Sequence, residues 1–559
     1  MRRILPLIVM LLASCGGGGS GVAEFKVSGK LEASEIKGLK VCVAETDNCT
    51  LTKDDGSFTL SSPTPTPELE FFIKGENGDI KLGDYKVREN GEVITPFKIA
   101  GDPEAGDALA RIIHALNNDT DGTSNLIDLT EVTVENSLTD SIEEAIKKGE
   151  DVSLNFSFNG ENYSLEFNAT TNKVKVCQDT CQEVKYRKWL VLLYIDADNN
   201  LGSQGFAGED VEELSQVHYS PEVKVVALID SPYLKDGTVY ASNDTTGNFE
   251  RVEELKNELN MGDPQTLIDF VETYSSKYPA NRTALIIWDH GDGWRSLRTL
   301  SFRIASIDEN ADSTDYLFMY ELRDALKKIS QDGYRIDLLG FDECLMGNLE
   351  VLFDVKDYAS VIVASETSEP GSGWNYEKVM TKLLNNPDAD AYTFGKYIVD
   401  AYEEEYQGES NLTLAAFKKE EIESLVNELN SLAQSLNDSN ALEFQEARSN
   451  LESAGADISG KDVYVDLATF ASKLYELDPS IEAAKRIETI IKGVYKTLIN
   501  TDLQGLSIYF PASSGDYSPC YGITTPSECS ELNDSQYYNP FAVNDWDEML
   551  QNYYSLTGN

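Results

Sequence analysis

The sequence predicts an α/β fold, and three observations carry that prediction. First, from residue 189 onward, short apolar runs recur at residues 189–195, 223–229, 283–288, 336–341, 360–364, 412–417 and 506–510. Runs this short and this continuously apolar read as strands buried on both faces. Second, helical patterns lie between several of them, at 265–278 and 317–329. Strands alternating with helical crossovers imply a sheet covered on both sides. Third, two of the runs end in reactive side chains: Trp288-Asp289-His290-Gly291-Asp292-Gly293-Trp294 and Phe341-Asp342-Glu343-Cys344-Leu345-Met346-Gly347. In open α/β sheets ligands bind beyond the carboxyl ends of the strands, so a His and a Cys at two such ends can build one site.

Composition narrows the candidates for that site. The chain has three histidines, His114, His218 and His290, and eight cysteines. Of the histidines, His290 alone follows a buried-looking strand and precedes glycine, the setting for a proton shuttle near neutral pH. Taken singly, a strand-end His caps a turn, and a Cys after an apolar run is a core residue. The pairing of the two is what points to a cysteine hydrolase.

The chain order begins with Arg2 and Arg3, an apolar stretch at residues 4–12, and Leu12-Ala13-Ser14-Cys15 followed by Gly16-Gly17-Gly18-Gly19-Ser20-Gly21. This layout is that of a secretory signal, too short for a membrane-spanning helix. Leu12-Ala13-Ser14-Cys15 resembles a bacterial lipobox, which implies lipidation of Cys15 and anchoring to the cell envelope, with residues 1–15 as the signal peptide and 16–23 as a flexible tether. The alternative is an ordinary cleaved signal with an incidental Cys.

Residues 24–100 show period-two patterning punctuated by Gly, Asp and Pro, expected for a small β-sandwich. Asp54-Asp55-Gly56-Ser57-Phe58 before a strand resembles transthyretin-like or carboxypeptidase-regulatory-like modules, which implies a spacer or docking role. Residues 101–185 read as a small α+β region, with helices over 107–116 and 139–148 and a hairpin over 152–167. Within it, Asn117, Asp119, Asp121 and Asp128 flank a Gly turn in partial imitation of a calcium loop; the alternative is an Asx-rich turn without metal. Residues 186–559 form the third and largest unit.

Cysteine spacing supports export. Apart from Cys15 and Cys344, six cysteines fall into the close pairs Cys42 with Cys49, Cys177 with Cys181, and Cys520 with Cys529, expected as disulfides in an oxidising compartment. Each would contribute about 2–3 kcal/mol by closing a short loop. Cys344 is then the odd thiol. The net charge of −50 opposes any nucleic-acid partner, which would need clustered Lys and Arg.

Tyr194-Ile195-Asp196-Ala197-Asp198-Asn199-Asn200-Leu201, the His290 and Cys344 segments, and Gly505-Leu506-Ser507-Ile508-Tyr509-Phe510-Pro511 together resemble the clostripain-like cysteine peptidases. The resemblance implies a caspase-like three-layer αβα sandwich with a mostly parallel central sheet. It also implies His290 and Cys344 as catalytic pair, and the backbone amides of Gly291 and Cys344 as oxyanion hole. Asp342 would line the pocket for a basic P1 side chain, giving cleavage after Arg or Lys of peptide or protein substrates with no cofactor required for the chemistry. Relatives are cut between the His and Cys strands, which makes Arg295, Arg298 and Arg303 candidate self-cleavage sites. Glu366 and Glu369, on the loop after the next strand, could add acid to the pocket, and Trp374 an apolar wall. Asp196 and Asp198 either help to hold a cation or close a turn. Glu343 departs from the family pattern, where a small Ala is usual, and an acid beside a thiol opposes thiolate formation. The rival reading is a catalytically silent surface lipoprotein that serves as a binding or adhesion module.

Overall fold

A computed structural model describes residues 25–31, 35–88, 90–119, 126–135, 138–184, 187–231, 234–255, 259–291, 293–294, 304–308, 314–452, 463–518, 521 and 544–559. Cys15, Asp121, Arg295, Arg298, Arg303, Cys520 and Cys529 lie outside the described residues.

The apolar runs assemble as expected into one central sheet of nine strands. Its spatial order is Phe249–Glu254, Leu234–Ser242, Val223–Ser231, Arg187–Asp196, Ala280–Trp288, Ile336–Asp342, Ala359–Ala364, Leu412–Lys418 and Tyr495–Ile499. The five from Val223–Ser231 to Ala359–Ala364 are mutually parallel, and the two at each edge run antiparallel.

Period-two geometry explains why these strands are apolar throughout. Along Arg187–Asp196, Leu190, Leu192 and Tyr194 enter one core, while Trp189, Val191, Leu193 and Ile195 enter the other. Helices Pro264–Lys277, Met319–Gln331, Leu349–Val355 and Lys419–Ala433 close the first face; Phe206–Gln216, Tyr376–Asn385 and Ala391–Glu405 close the second. The result is the three-layer αβα arrangement. The local start signals hold too: Asp263 caps Pro264–Lys277 by accepting from the Gln265 N–H at 2.9 Å, with Pro264 in the first turn.

Two expectations change. Ser507–Tyr509 is not in the central sheet but pairs with Tyr464–Asp466 in a separate two-stranded sheet. The Ser507 N–H donates to the Gly347 carbonyl at 3.0 Å, so this segment lies across the loop that follows Cys344. The place next to Leu412–Lys418 is taken instead by Tyr495–Ile499. Residues 24–100 and 101–185 are also not separate bodies. Glu35–Lys37 pairs in parallel with Leu126–Asp128, and one apolar core runs from Val27 to Val184. Within it, the sheets Ser57–Ser62/Phe25–Leu31/Val93–Ile94 and Cys49–Leu51/Lys40–Val43/Glu68–Ile73/Ile80–Lys86 provide the expected β-layers, and Val132–Val134 opens a five-stranded meander.

Cys42–Cys49 and Cys177–Cys181 form disulfides, each between residues directly opposed in an antiparallel pair. The calcium expectation meets a different bonding pattern. Asp119 Oδ2 is 2.7 Å from the ring of buried His114, Asn117 Oδ1 accepts from the Asp128 N–H at 3.1 Å, and Asp128 faces the Lys37 ammonium at 3.3 Å. An ammonium at that distance opposes a cation. The described members therefore do not fit a calcium site.

The N-terminal unit docks on the sheet's far end from the reactive residues. Lys98 Nζ pairs with Glu272 Oε2 at 2.7 Å, with both side chains buried. Tyr334 donates to Thr95 Oγ1 at 2.7 Å and stacks on Phe97 with ring centroids 5.2 Å apart, and Arg88 pairs with Asp332. Asp332 and Tyr334 precede the start of Ile336–Asp342, about 25 Å along the strand from its carboxyl end. Removing one partner of a buried pair strands the other charge, so Lys98→Met is expected to cost about 3–5 kcal/mol, read as a lowered denaturant midpoint in equilibrium unfolding.

Candidate active site

Register between parallel strands builds the site. Trp288 lies opposite Asp342, so His290 and Cys344, each two residues further on, leave neighbouring strands at one level. Neighbouring strands are about 4.8 Å apart, which brings two such side chains within reach of each other. Both line a small cavity of about 40 Å³ together with Leu201, Trp288, Asp289, Asp342, Glu343, Glu369, Pro370, Gly371 and Gly373.

The two turns that carry His290 and Cys344 are pressed together. A Cβ on Gly291 would fall 2.3 Å from the Cys344 carbonyl oxygen and 2.8 Å from Glu343 Cβ, so only glycine allows this approach. On the other side, Leu345 adopts φ 64°, left-handed backbone that costs a non-glycine residue about 1–2 kcal/mol. Its N–H donates to the Thr367 carbonyl at 3.0 Å, and the Gly347 N–H donates to Ser365 at 2.6 Å. Strain held by such anchors one residue beyond Cys344 is of the kind that clusters at functional sites.

The thiol of Cys344 is half-buried, and its Sγ accepts from the Glu369 backbone N–H at 3.2 Å. The same Sγ donates to the Glu369 carbonyl at 3.9 Å, so the backbone of that residue holds the sulfur through both its N–H and its C=O. Motif reading had Glu369 only as an acidic side chain; its backbone role depends on how the loop after Ala359–Ala364 folds back. Burial holds the His290 imidazole below its ordinary pKa, so the ring is neutral and able to accept a proton. His290 Nε2 lies 2.8 Å from Asn200 Oδ1, a contact across ninety residues that no spacing rule signals. The preceding Asn199 Nδ2 donates to Asp289 Oδ1 at 2.6 Å and to the Asp196 carbonyl at 3.1 Å.

Two of the acids expected at the pocket, Asp342 and Glu369, line the cavity. Asp342 Oδ2 accepts from the Trp374 N–H at 3.1 Å and the Tyr376 hydroxyl at 2.8 Å, and Glu369 Oε2 accepts from Trp374 Nε1 at 3.1 Å. Asp342 Oδ1 and Glu369 Oε1 are buried away from other donors, and the two carboxyls are hydrogen-bonded to each other. Burial pushes Asp342 up to about 7, and burial with the Asp342 and Cys344 charges raises Glu369 well above the carboxylate range. Gly373, at φ 59°, wraps over them; a Cβ there would sit 2.7 Å from Asp342 Oδ1. Trp374 is fully buried behind the two acids, holding them by hydrogen bonds instead of forming the cavity wall. Glu366 is outside the cavity lining: its Oε2 accepts from the Gly505 N–H at 2.7 Å, in contact with Asp466.

Glu343 is buried, with both oxygens lacking protein donors. Burial and the charges of Asp289 and Asp342 hold its pKa well above the ordinary range. A protonated Glu343 carries no charge, so it does not oppose the thiolate at its side. Asp196 accepts from Ser306 Oγ and from the Asp198 N–H at 3.4 Å, and burial raises its pKa as well. These contacts close a turn, and no group of acids, His or Cys arranged to hold a metal is present among the described residues.

The chain is 30% identical to clostripain of Hathewaya histolytica over 241 residues, covering 36% of this chain and 44% of that protein, so it spans less than half the length of this relative. Among solved structures, a secreted C11 cysteine protease from Bacteroides thetaiotaomicron bound to an irreversible peptide inhibitor is 19% identical, with TM-score 0.48 over 60% of this chain and 95% of that one. An inactive zymogen C11 protease from Parabacteroides distasonis is also 19% identical, with TM-score 0.44 over 58% and 93%. The clostripain family model matches residues 193–556, from the strand that carries Tyr194 to the final helix, and the chain belongs to the clostripain family.

Proposed function

We propose that the protein is an exported cysteine endopeptidase that cleaves after Arg or Lys. The observation that carries this reading is the Trp288–Asp342 register, which delivers His290, Cys344 and the paired acids Asp342 and Glu369 to one cavity. A cationic P1 side chain would meet the buried Asp342–Glu369 pair and take the place of the proton that the two carboxyls share, a charge-assisted bond in a desolvated pocket.

In this reaction His290 takes the Cys344 proton and the thiolate attacks the scissile carbonyl. The C–N bond breaks as His290 returns the proton to the leaving amine, leaving a thioester. Water then loses a proton to His290, attacks the thioester and releases Cys344. The backbone amides of Gly291 and Cys344 would hold the oxyanion. No cofactor takes part.

The leader pattern ending at Cys15 and the two disulfides support export, since such bridges persist in oxidising compartments. Cys15 would be the lipid attachment point, holding the protein to the bacterial envelope. No helix among the described residues is long and apolar enough to cross a membrane. Arg295, Arg298 and Arg303 would be the self-cleavage sites between the His and Cys strands.

The test is hydrolysis of fluorogenic peptides with Arg, Lys, Asp or Leu at P1 by protein lacking residues 1–15, beside Cys344→Ala. Cleavage only after Arg or Lys is expected, and the variant should lose at least about 10³-fold, the range seen on removing a covalent nucleophile. Turnover of the Leu peptide alone would overturn the basic specificity. No turnover of any peptide, even after the segment holding Arg295, Arg298 and Arg303 has been cut by trypsin that is then inhibited, would favour the binding-module reading.

A further inference from the structure

We propose that Asn200 is the positioning residue of the His290 imidazole, accepting from Nε2–H and thereby assigning proton transfer to Nδ1. The inference rests on the peptidase reading for its catalytic consequence, while the tautomer itself is a property of the folded chain. The geometry is direct: Asn200 Oδ1 stands 2.8 Å from His290 Nε2. An amide oxygen accepts and does not donate, so a neutral ring bonded to it carries its hydrogen on Nε2 and its lone pair on Nδ1.

The asparagine is itself held in place by its neighbour. Asn199 Oδ1 accepts from the Leu201 N–H at 2.8 Å, and Asn199 Nδ2 reaches Asp289 Oδ1, the Asp196 carbonyl and the Ile307 carbonyl at 3.2 Å. Two consecutive asparagines therefore grip Asp289-His290: Asn199 holds the backbone turn through Asp289, and Asn200 holds the ring. A ring with one fixed nitrogen loses the freedom to rotate or switch tautomer, and wrong-tautomer states are catalytically silent. The groups that face His290 from the packed elements are Asp289 on its own turn, Asp342, Glu343 and Cys344 on the neighbouring strand end, and Glu369 on the loop beyond. Asn200 Oδ1 is the partner that the described residues present to Nε2, and its bond there sets the tautomer.

The chain has three histidines, so the experiment reads His290 by nitrogen-15 NMR of selectively labelled full-length protein, with His290→Gln to assign the signal. The neutral wild-type ring is expected as the Nε2–H tautomer, and Asn200→Ala as a tautomer mixture. In peptide hydrolysis, Asn200→Ala should lower kcat by about 10- to 100-fold at unchanged KM, the usual effect of losing a histidine's orienting partner. Asn200→Asp keeps an acceptor, so it should restore kcat while its negative charge moves the acidic limb of the pH profile upward. A wild-type ring in the Nδ1–H tautomer, or an Asn200→Asp protein as impaired as Asn200→Ala, would overturn the proposal. Wild-type protein that shows the Nε2–H tautomer but hydrolyses no peptide would sink the peptidase reading and leave Asn200's role in the fold standing.

Discussion

Asp342→Asn is expected to lower kcat/KM for a P1-Arg peptide by about 10²–10³-fold while leaving the slow background rate on a P1-Leu peptide unchanged. Removing one member of a desolvated charge pair costs about 2–5 kcal/mol, and each 1.4 kcal/mol is about tenfold. The substitution preserves size and the bonds from Trp374 and Tyr376, so a loss confined to basic P1 residues isolates charge from packing. Asp342 ionises near pH 7 because burial raises it, so kcat/KM for the Arg peptide should rise as pH climbs through about 7. Above that value the carboxylate is charged before substrate arrives; below it a proton must leave as the cation enters. Asp342→Asn should lack this rise. Equal losses on Arg and Leu peptides would show that the pocket acids serve the fold and not the substrate.

Glu343→Gln is expected to flatten the pH dependence of stability. The folded-state pKa of Glu343 is raised well above the unfolded value, so the native state holds a proton that the unfolded chain releases. That favourable contribution is fully present below about pH 4.5 and is lost as pH rises toward the folded pKa. Each such group removes about 1.4 kcal/mol of stability per pH unit through this window. Gln cannot ionise, so the variant's advantage over wild type should grow from pH 5 to pH 8 in chemical denaturation. A constant difference across that range would mean that Glu343 is ionised in the folded protein. Asp196, Asp289 and Glu369 carry raised pKa values for the same reason, burial, and act in the same direction.

Much of this site was legible in one dimension. The strands that carry His290 and Cys344 announce themselves as apolar runs, because residues buried on both faces of a sheet have no polar alternation to hide them. The edge strands Phe249–Glu254 and Tyr495–Ile499 escaped notice because edges need only one apolar face: the first is rich in charge, and the second is broken by Lys496 and Thr497. Disulfide pairs were readable because Cys42 and Cys49, and Cys177 and Cys181, are close in sequence. Glu366 and Glu369 look alike in a string of letters, yet the fold gives the first to the Gly505 N–H and the second to the Trp374 indole.

Identity, strand ends and reacting side chains are thus properties of local sequence, since periodicity and rarity of residue types are written in the order of letters. Register, the choice of Asn200 over its neighbours, the amide that Glu369 aims at the Cys344 sulfur, and the protonation of Glu343 belong to the packed molecule. Each depends on distances between segments tens of residues apart, and on a burial that strips water from carboxyls which the sequence alone would count as charged.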